Sequence, residues 1–169
     1  MIQNIRRSLT DLLGAEYTAA VCRARAALTG ESPEALRAVA DEKVDFYPEA
    51  FARRQEELMG DIGHSLAPAF ADTEDGAPTH SYRAAQHSFA APLGGLGAFR
   101  IGEDGRLYFA GKSEHYQIPL GHDFPGYSLI ENAKRLGIPN ATHNNTRGFI
   151  TRTLERRLIA AANGLQPTD

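Results

Sequence analysis

Apolar side chains recur at three- and four-residue spacing through the first third of the chain, which is the period of an amphipathic helix. One such stripe covers residues 2–13 up to Gly14, and an alanine-rich segment over residues 16–28 predicts a second helix. Ser32 followed by Pro33 predicts the start of a third helix, because serine caps free N–H groups and proline fits the first turn. We expect this third helix to reach about Val44.

The pattern changes twice more along the chain. A fourth helix is expected over residues 48–60, and the prolines and glycines that follow predict a loop-rich connection over residues 67–97. Apolar runs on both sides of an Asp-Gly turn predict a β-hairpin over residues 98–109. A third short strand at residues 116–118 and two further helices complete the prediction. Those helices cover residues 127–136 and 146–163, and the apolar face of the last one is formed by Ile150, Leu154, Leu158 and Ala161.

These elements predict an α+β fold that is mainly helical and carries a small antiparallel hairpin or meander. We divide the chain into a helical region over residues 1–66, the connection over residues 67–97, and a hairpin-and-helix region over residues 98–169. A chain of 169 residues with 42% hydrophobic and 23% charged residues is of a size and composition that can bury one core.

Charge and apolar content restrict the classes of partner. Eighteen basic against 21 acidic residues give a net charge of −3, which argues against binding to nucleic acid. No apolar run approaches the ~20 residues of a membrane helix, and residues 1–7 lack the apolar core of a secretory signal. We therefore expect a soluble, cytoplasmic protein without a membrane partner.

Motifs for metal, phosphate and hydrolase sites are missing from the sequence. Cys22 is the single cysteine, and no two of the six histidines lie three or four residues apart, so we predict no metal site. Gly111-Lys112-Ser113 resembles the end of a phosphate-binding loop, but five residues of a predicted strand separate Gly111 from Gly105 where the motif needs four. No Gly-x-Ser-x-Gly elbow occurs.

Polar residues that could form a site collect between residues 111 and 145. Serine, histidine, tyrosine and asparagine side chains there fall in predicted loops between short elements, which is where binding sites concentrate. A binding role and ordinary loop chemistry both remain open for this segment.

Two runs in this half of the chain resemble a known family. DGRLYFAG at residues 104–111 and LGHDFP at residues 120–125 are similar to the N-terminal part of class III aminotransferases, among them glutamate-1-semialdehyde aminomutase. These are pyridoxal-phosphate (PLP) enzymes of fold type I, whose pattern there is Leu-Gly-His-x-His-Pro before a helix. THNN at residues 142–145 and LERRL at residues 154–158 follow in the family's order, so the resemblance covers about residues 98–164.

The resemblance implies substrate-side contacts from the loop after the hairpin and from the segment before the last helix. The residues implied for substrate binding are Ser113, His115, Tyr116, Asn144 and Asn145, and those implied to shape the loops are Gly111, Gly121, His122 and Pro125. Phe124 departs from the pattern, since it stands where the family has the second histidine. The stretch from Phe109 to Leu120 is also slightly longer than in the family.

In enzymes of this family, the residues that hold the cofactor lie on a large downstream domain. They are a Schiff-base lysine, an aspartate on the pyridinium nitrogen and a phosphate site at a helix N-terminus. None of Lys43, Lys112 and Lys134 stands in such a context, so we expect no catalytic residue in this chain, and PLP only together with a complementary domain or chain.

Two functions follow as hypotheses. In the first, the chain is the N-terminal portion or a split subunit of an aminotransferase-like enzyme, and it supplies substrate-side and dimer contacts. In the second, it is a non-catalytic interaction or dimerisation module that retains only the hairpin and helices. A homo-oligomer or a complex with a PLP-bearing chain is expected in either case, because the apolar faces over residues 2–13 and 150–161 need a partner.

Overall fold

The computed structural model describes residues 3–70, 79–81, 90–110, 120–138 and 147–165. These residues form an α+β fold with six α-helices and two small antiparallel sheets, as predicted. The helices are α1 (Leu9–Leu13), α2 (Ala15–Thr29), α3 (Pro33–Asp41), α4 (Glu49–Leu58), α5 (Ser128–Arg135) and α6 (Phe149–Ala162). The strands are β1 (Arg6–Arg7), β2 (Val44–Asp45), β3 (Pro92–Leu96), β4 (Phe99–Gly102) and β5 (Leu107–Phe109).

Capping side chains set the starts of the N-terminal helices. The Ser8 hydroxyl accepts a hydrogen bond from Asp11 N at 3.1 Å while Asp11 Oδ2 accepts one from Ser8 N at 2.8 Å, which forms a capping box at α1. At α3 the Ser32 hydroxyl accepts from Ala35 N at 3.2 Å, and Pro33 occupies the first turn. The predicted starts of α3 and α4, and the end of α1 at Gly14, are confirmed.

Two predicted helix boundaries are wrong, and one predicted loop region contains a strand. The helix expected over residues 2–13 begins only at Leu9, because Ser8 caps it there and Arg6–Arg7 pairs with Val44–Asp45 as a two-stranded sheet. The same pairing ends α3 at Asp41, short of the expected Val44. The predicted loop-rich connection contains β3, where pairing with β4 overrides the low strand propensity of its glycines and proline.

Contacts divide the chain into two units, each made of two separate stretches. The first unit consists of Met1–Ile5 and Asp45–Tyr127, and the second of Arg6–Val44 and Ser128–Asp169. The boundaries placed at residues 66 and 97 from the sequence both fall inside the first unit.

The first unit is built on a three-stranded meander in the order β3-β4-β5. The registers pair Leu96 with Phe99 and Phe99 with Phe109, so these side chains lie on one face of the sheet. On that face Leu58 of α4 packs with Phe99 and Leu107, all three buried. The predicted hairpin is confirmed, and a third strand lies on its β4 side; the strand expected at residues 116–118 lies outside the described residues.

The second unit is helical. Helices α1, α2, α3 and α5 pack together around a buried set that includes the predicted inward side chains of α3. This set is Leu9, Thr18, Cys22, Leu36, Val39, Ala40, Leu129, Leu136 and Ile138.

Helix α6 contributes less to this core than its pattern indicates. Phe149 stacks on Tyr17 of α2 with ring centroids 4.4 Å apart, and Ala160 is buried. Leu154 and Leu158 of the predicted apolar face remain 54% and 59% exposed. The apolar face of α6 therefore lies mostly at the surface.

Candidate functional site

The residues predicted to form the site fall into two groups. Gly111, Ser113, His115, Tyr116, Asn144 and Asn145 lie outside the described residues. The other predicted residues, Gly121, His122 and Pro125, belong to the first unit, between the meander and α5.

Backbone hydrogen bonds fix the chain on both sides of residues 111–119 to one turn of the meander. Gly97, in the turn between β3 and β4, donates to His122 O at 2.6 Å and accepts from His122 N at 2.8 Å. Ala98, the next residue of the turn, accepts from Ala110 N at 2.7 Å. Gln55 of α4 holds this turn in place, because its Oε1 accepts from Ala98 N at 3.1 Å. Ala110 and His122, which flank the predicted loop over residues 111–119, are thus hydrogen-bonded to the adjacent residues Ala98 and Gly97.

Glycines allow this backbone crossing. Gly121 has φ +88°, and a Cβ atom there would lie 2.3 Å from Gly97 O. The His122 ring covers Gly95 of β3 so closely that a Cβ at Gly95 would lie 2.2 Å from His122 Cγ. Side chains at these positions would push the loop away from the sheet. The structure therefore places Gly121 and His122 at the crossing itself.

Phe124 occupies the centre of an aromatic cluster. It is 6% exposed, and its ring lies 5.3 Å from Tyr47, 5.7 Å from Phe46 and 5.3 Å from Tyr127, measured between centroids. Pro125 begins the 3₁₀ turn Pro125–Tyr127, in which Tyr127 N donates to Phe124 O at 2.9 Å. The surroundings of residue 124 are apolar and favour edge-to-face ring contacts. This gives a physical reason for phenylalanine where the aminotransferase pattern has histidine.

The opposite face of the meander is polar. Strand registers pair Gly95 with Arg100 and Arg100 with Tyr108, so this face carries Arg100 and Tyr108 beside the His122 ring. The Arg100 Nε and His122 Nε2 atoms are buried. We call Arg100, Tyr108 and His122 the polar row.

A carboxylate supports one end of the polar row. The Tyr108 hydroxyl donates to Asp104 Oδ2 at 2.6 Å, and Arg106 N donates to Asp104 Oδ1 at 3.0 Å. The Tyr108 hydrogen bond lowers the pKa of Asp104, and the same bond to the carboxylate raises the pKa of Tyr108. Tyr108 is thereby held as a neutral phenol at the side of Arg100.

Arg100 and Tyr108 were not singled out from the sequence. The signal that identifies them is alternation with period two, since Phe99, Ile101, Leu107 and Phe109 take the other face of the sheet. A guanidinium, an imidazole and a phenol in one row can orient an anionic or hydrogen-bonding ligand. They do not by themselves form a nucleophile-and-base pair.

Two further properties hold for the part of the chain that the structure describes. No group of three or more His, Cys, Asp or Glu side chains is arranged there to hold a metal ion. No described helix is both long enough and apolar enough to cross a membrane.

The comparisons with known proteins add no relative to this picture. No family model, curated protein or solved structure matches the chain. The resemblance to class III aminotransferases therefore depends on the residues quoted for it.

Proposed function

We propose that this chain is the N-terminal portion or a split subunit of a PLP-dependent, class III aminotransferase-like protein. Its role is to supply substrate-side contacts from the loop over residues 111–119 and contacts for a dimer. The observation that carries the proposal is that Ala110 and His122, on either side of that predicted loop, are hydrogen-bonded to Ala98 and Gly97. Binding residues are typically carried on loops that a rigid scaffold positions in this way. A cytoplasmic location is part of the proposal.

The order of elements also supports it. The aminotransferase pattern runs from a hairpin through Leu-Gly-His and Pro to a helix, and here β4, β5, the Gly121-His122 crossing, the Pro125–Tyr127 turn and α5 follow in that order. The polar row borders the crossing, so a substrate bound beside the crossing would lie near the Arg100 guanidinium, whose Nε is buried. Such a group suits the carboxylate of an amino acid.

The described lysines do not fit the cofactor. The Lys43 ammonium donates a hydrogen bond to Asp11 Oδ2, and the Lys134 ammonium donates one to Glu131 Oε1 at 2.7 Å. Both lysine side chains are about half exposed, at 48% and 53%, and neither has the desolvated surroundings that make a lysine nucleophilic. Lys112 lies outside the described residues. The cofactor lysine would come from a complementary domain or chain, and no step of the chemistry is assigned to these residues.

The first test examines the chain alone. We expect titration with PLP to give no stoichiometric aldimine absorbance, and borohydride reduction followed by peptide mapping to show no single modified lysine. One lysine trapped at one equivalent would overturn the assignment of the cofactor lysine to another domain or chain.

The second test uses the assembled enzyme. The coding sequence that follows codon 169, or an adjacent gene, is searched for a PLP-binding domain, which is then produced together with this chain. His115→Ala or Tyr116→Ala should raise KM, or change substrate preference, with kcat and PLP affinity nearly unchanged, because uniform binding is lost. His64→Ala is the matched control, since that side chain is 71% exposed and lies outside the candidate loop. A large loss of PLP affinity in the loop variants would contradict a substrate-side role.

A non-catalytic interaction module is the second candidate. The exposed apolar face of α6 favours it, because Leu154, Leu158 and Ile159 are 54%, 59% and 61% exposed. A complex that forms with the PLP-bearing chain, but whose turnover is the same with and without this chain, would support the module over the enzyme.

A further inference from the structure

A groove lies on the apolar side of the first unit, and Arg100 of the polar row also contributes to its lining. It has a volume of about 420 Å³ and lies between α4, the segment that follows it, and the strands of the meander. Its apolar lining includes Leu58, Leu66, Ile101 and Leu107. This volume is within the range of about 300–1,000 Å³ typical of small-molecule sites.

One position of β3 in the lining of the groove, Gly94, has no side chain. Gly94 pairs with Ile101, so a Cβ at residue 94 would point to the face on which Ile101 packs against Leu58 and Leu107. A Cβ placed there meets no atom within 4 Å, and the φ of Gly94 is outside the left-handed region. Backbone conformation therefore does not require this glycine. Its effect is to leave the groove open.

Positive charge borders the groove. Arg54 and Arg100 belong to its lining, and no described residue of the lining is acidic. Arg54 Nη1 lies 2.9 Å from Glu57 Oε2, but both side chains are about half exposed, at 52% and 51%. An exposed pair of this kind contributes little stability, so an incoming anion can displace the carboxylate from Arg54. An apolar lining with cations at its border is complementary to an amphipathic anion.

We propose that this groove binds a small apolar molecule that carries one carboxylate, with the hydrocarbon part against Leu58, Leu66 and Ile101 and the carboxylate at Arg54. The inference goes beyond the proposed function, because it concerns the groove beside Leu58 and requires neither PLP nor a second chain.

The test is a titration of the full chain with hexanoate, octanoate and decanoate, followed by calorimetry and by amide chemical shifts. We expect saturable binding at one site, and affinity that rises about fourfold for each added methylene, as burial of hydrocarbon requires. Shift changes should centre on α4, β3 and β4. Octylamine should bind at least about tenfold more weakly than octanoate, because its charge is repelled by the arginines.

Two pairs of variants locate the site. Gly94→Leu should fill part of the groove and weaken octanoate binding at least about tenfold, since a Cβ at residue 94 meets no atom within 4 Å. Gly60→Leu is its control, because a Cβ at Gly60 also meets no atom within 4 Å and Gly60 does not line the groove. Arg54→Gln should weaken binding about tenfold through loss of the charge-assisted contact. Arg53→Gln, the exposed neighbour on α4 that is not part of the lining, should leave it unchanged.

Several results would overturn the proposal. They are the absence of saturable octanoate binding, equal binding of octanoate and octylamine, and unchanged binding in Gly94→Leu that has a wild-type amide spectrum elsewhere. If Gly94→Leu does not fold, the wild-type shift map decides, and shifts centred on Tyr108 and His122 or on α6 would count against the groove. A concentration-dependent dimer that octanoate does not dissociate and that Gly94→Leu abolishes would assign the groove to a second copy instead.

Discussion

At the residue scale, the site depends on glycines whose conformation and surroundings exclude a side chain. Gly121 combines φ +88° with a Cβ position 2.3 Å from Gly97 O. Gly63, in the same unit, has φ +85° but no atom within 4 Å of its Cβ position. Alanine substitutions at these two glycines therefore separate the cost of the left-handed conformation from the cost of steric contact.

We predict that Gly63→Ala lowers the free energy of unfolding by about 1–2 kcal/mol, the cost of a left-handed conformation for an L residue. Gly121→Ala should lower it by about 1–3 kcal/mol more, because the loop must also move away from the sheet. Urea unfolding monitored by circular dichroism measures both. Equal losses of unfolding free energy in the two variants would show that Gly121 can accept a methyl group beside Gly97 O without a steric cost.

The ion pair between Asp11 and Lys43 in the second unit predicts that the stability of the fold depends on pH. The hydrogen bonds from Lys43 and from Ser8 N lower the pKa of Asp11 from 3.8 to about 2. Because the folded pKa lies below the unfolded value, the carboxylate stabilises the fold above pH 3.8, and this contribution is lost as the pH falls towards 2.

Lys43→Gln should raise the pKa of Asp11 and so shift part of the acid unfolding transition to higher pH. The difference in stability from wild type should diminish as the pH falls towards 2. Far-ultraviolet circular dichroism between pH 6 and pH 2 follows this. Asp11→Asn in the Lys43→Gln background is the control and should add little further pH dependence. An unaltered acid transition in Lys43→Gln would show that the pair contributes nothing measurable in solution.

At the element scale, local signals predicted most of the structure. Ser32 and Pro33 predicted the start of α3, and the Asp-Gly turn predicted the hairpin of β4 and β5, because capping and turn chemistry act within a few residues. Strand β3 could not be predicted in the same way. Its Pro-Leu-Gly-Gly-Leu sequence lacks strand propensity and is extended because β4 supplies the partner groups.

Phe124, which precedes the turn Pro125–Tyr127, yields a prediction because it departs from the aminotransferase pattern. Phe124→His, which introduces the histidine of the aminotransferase pattern, should cost about 2–4 kcal/mol in unfolding free energy, because a buried ring is lost and an imidazole is placed among aromatic rings. The cost should increase below pH ~6.5, since burial disfavours the protonated imidazole.

Thermal unfolding at pH 8 and pH 5.5 measures both effects. Phe70→His serves as the control, because Phe70 is 56% exposed and its replacement should change stability little at either pH. A Phe124→His protein as stable as wild type would mean that the aromatic cluster does not determine the residue at this position.

At the scale of the whole molecule, the sequence predicts elements better than it predicts which of them pack together. Helices α5 and α6 follow the meander in the chain but join α1–α3 in the second unit. Periodicity identifies the apolar face of a helix and not its partner. The polar row shows the same limit, since the register that brings Arg100, Tyr108 and the ring of His122 together is a tertiary feature. The assignment of the candidate loop residues remains a prediction.

The apolar face of α6 predicts assembly at this scale. Leu154 and Leu158 lie one turn apart on the same side of the helix and are 54% and 59% exposed, and Ile159 beside them is 61% exposed. Three large apolar side chains exposed together on one helix normally have a partner. We therefore expect sedimentation at tens of micromolar, a range set by the scale of moderate affinities, to show a species heavier than the monomer.

Leu158→Asp should return this species to the monomer, because a charge in an apolar contact must be desolvated without a partner. Leu28→Asp is the matched control, since Leu28 of α2 is 84% exposed and belongs to the same unit but not to α6. That variant should associate like wild type. A wild-type chain that stays monomeric over this concentration range would contradict the prediction. Dissociation by both substitutions alike would show that added charge, and not loss of the α6 contact, separates the subunits.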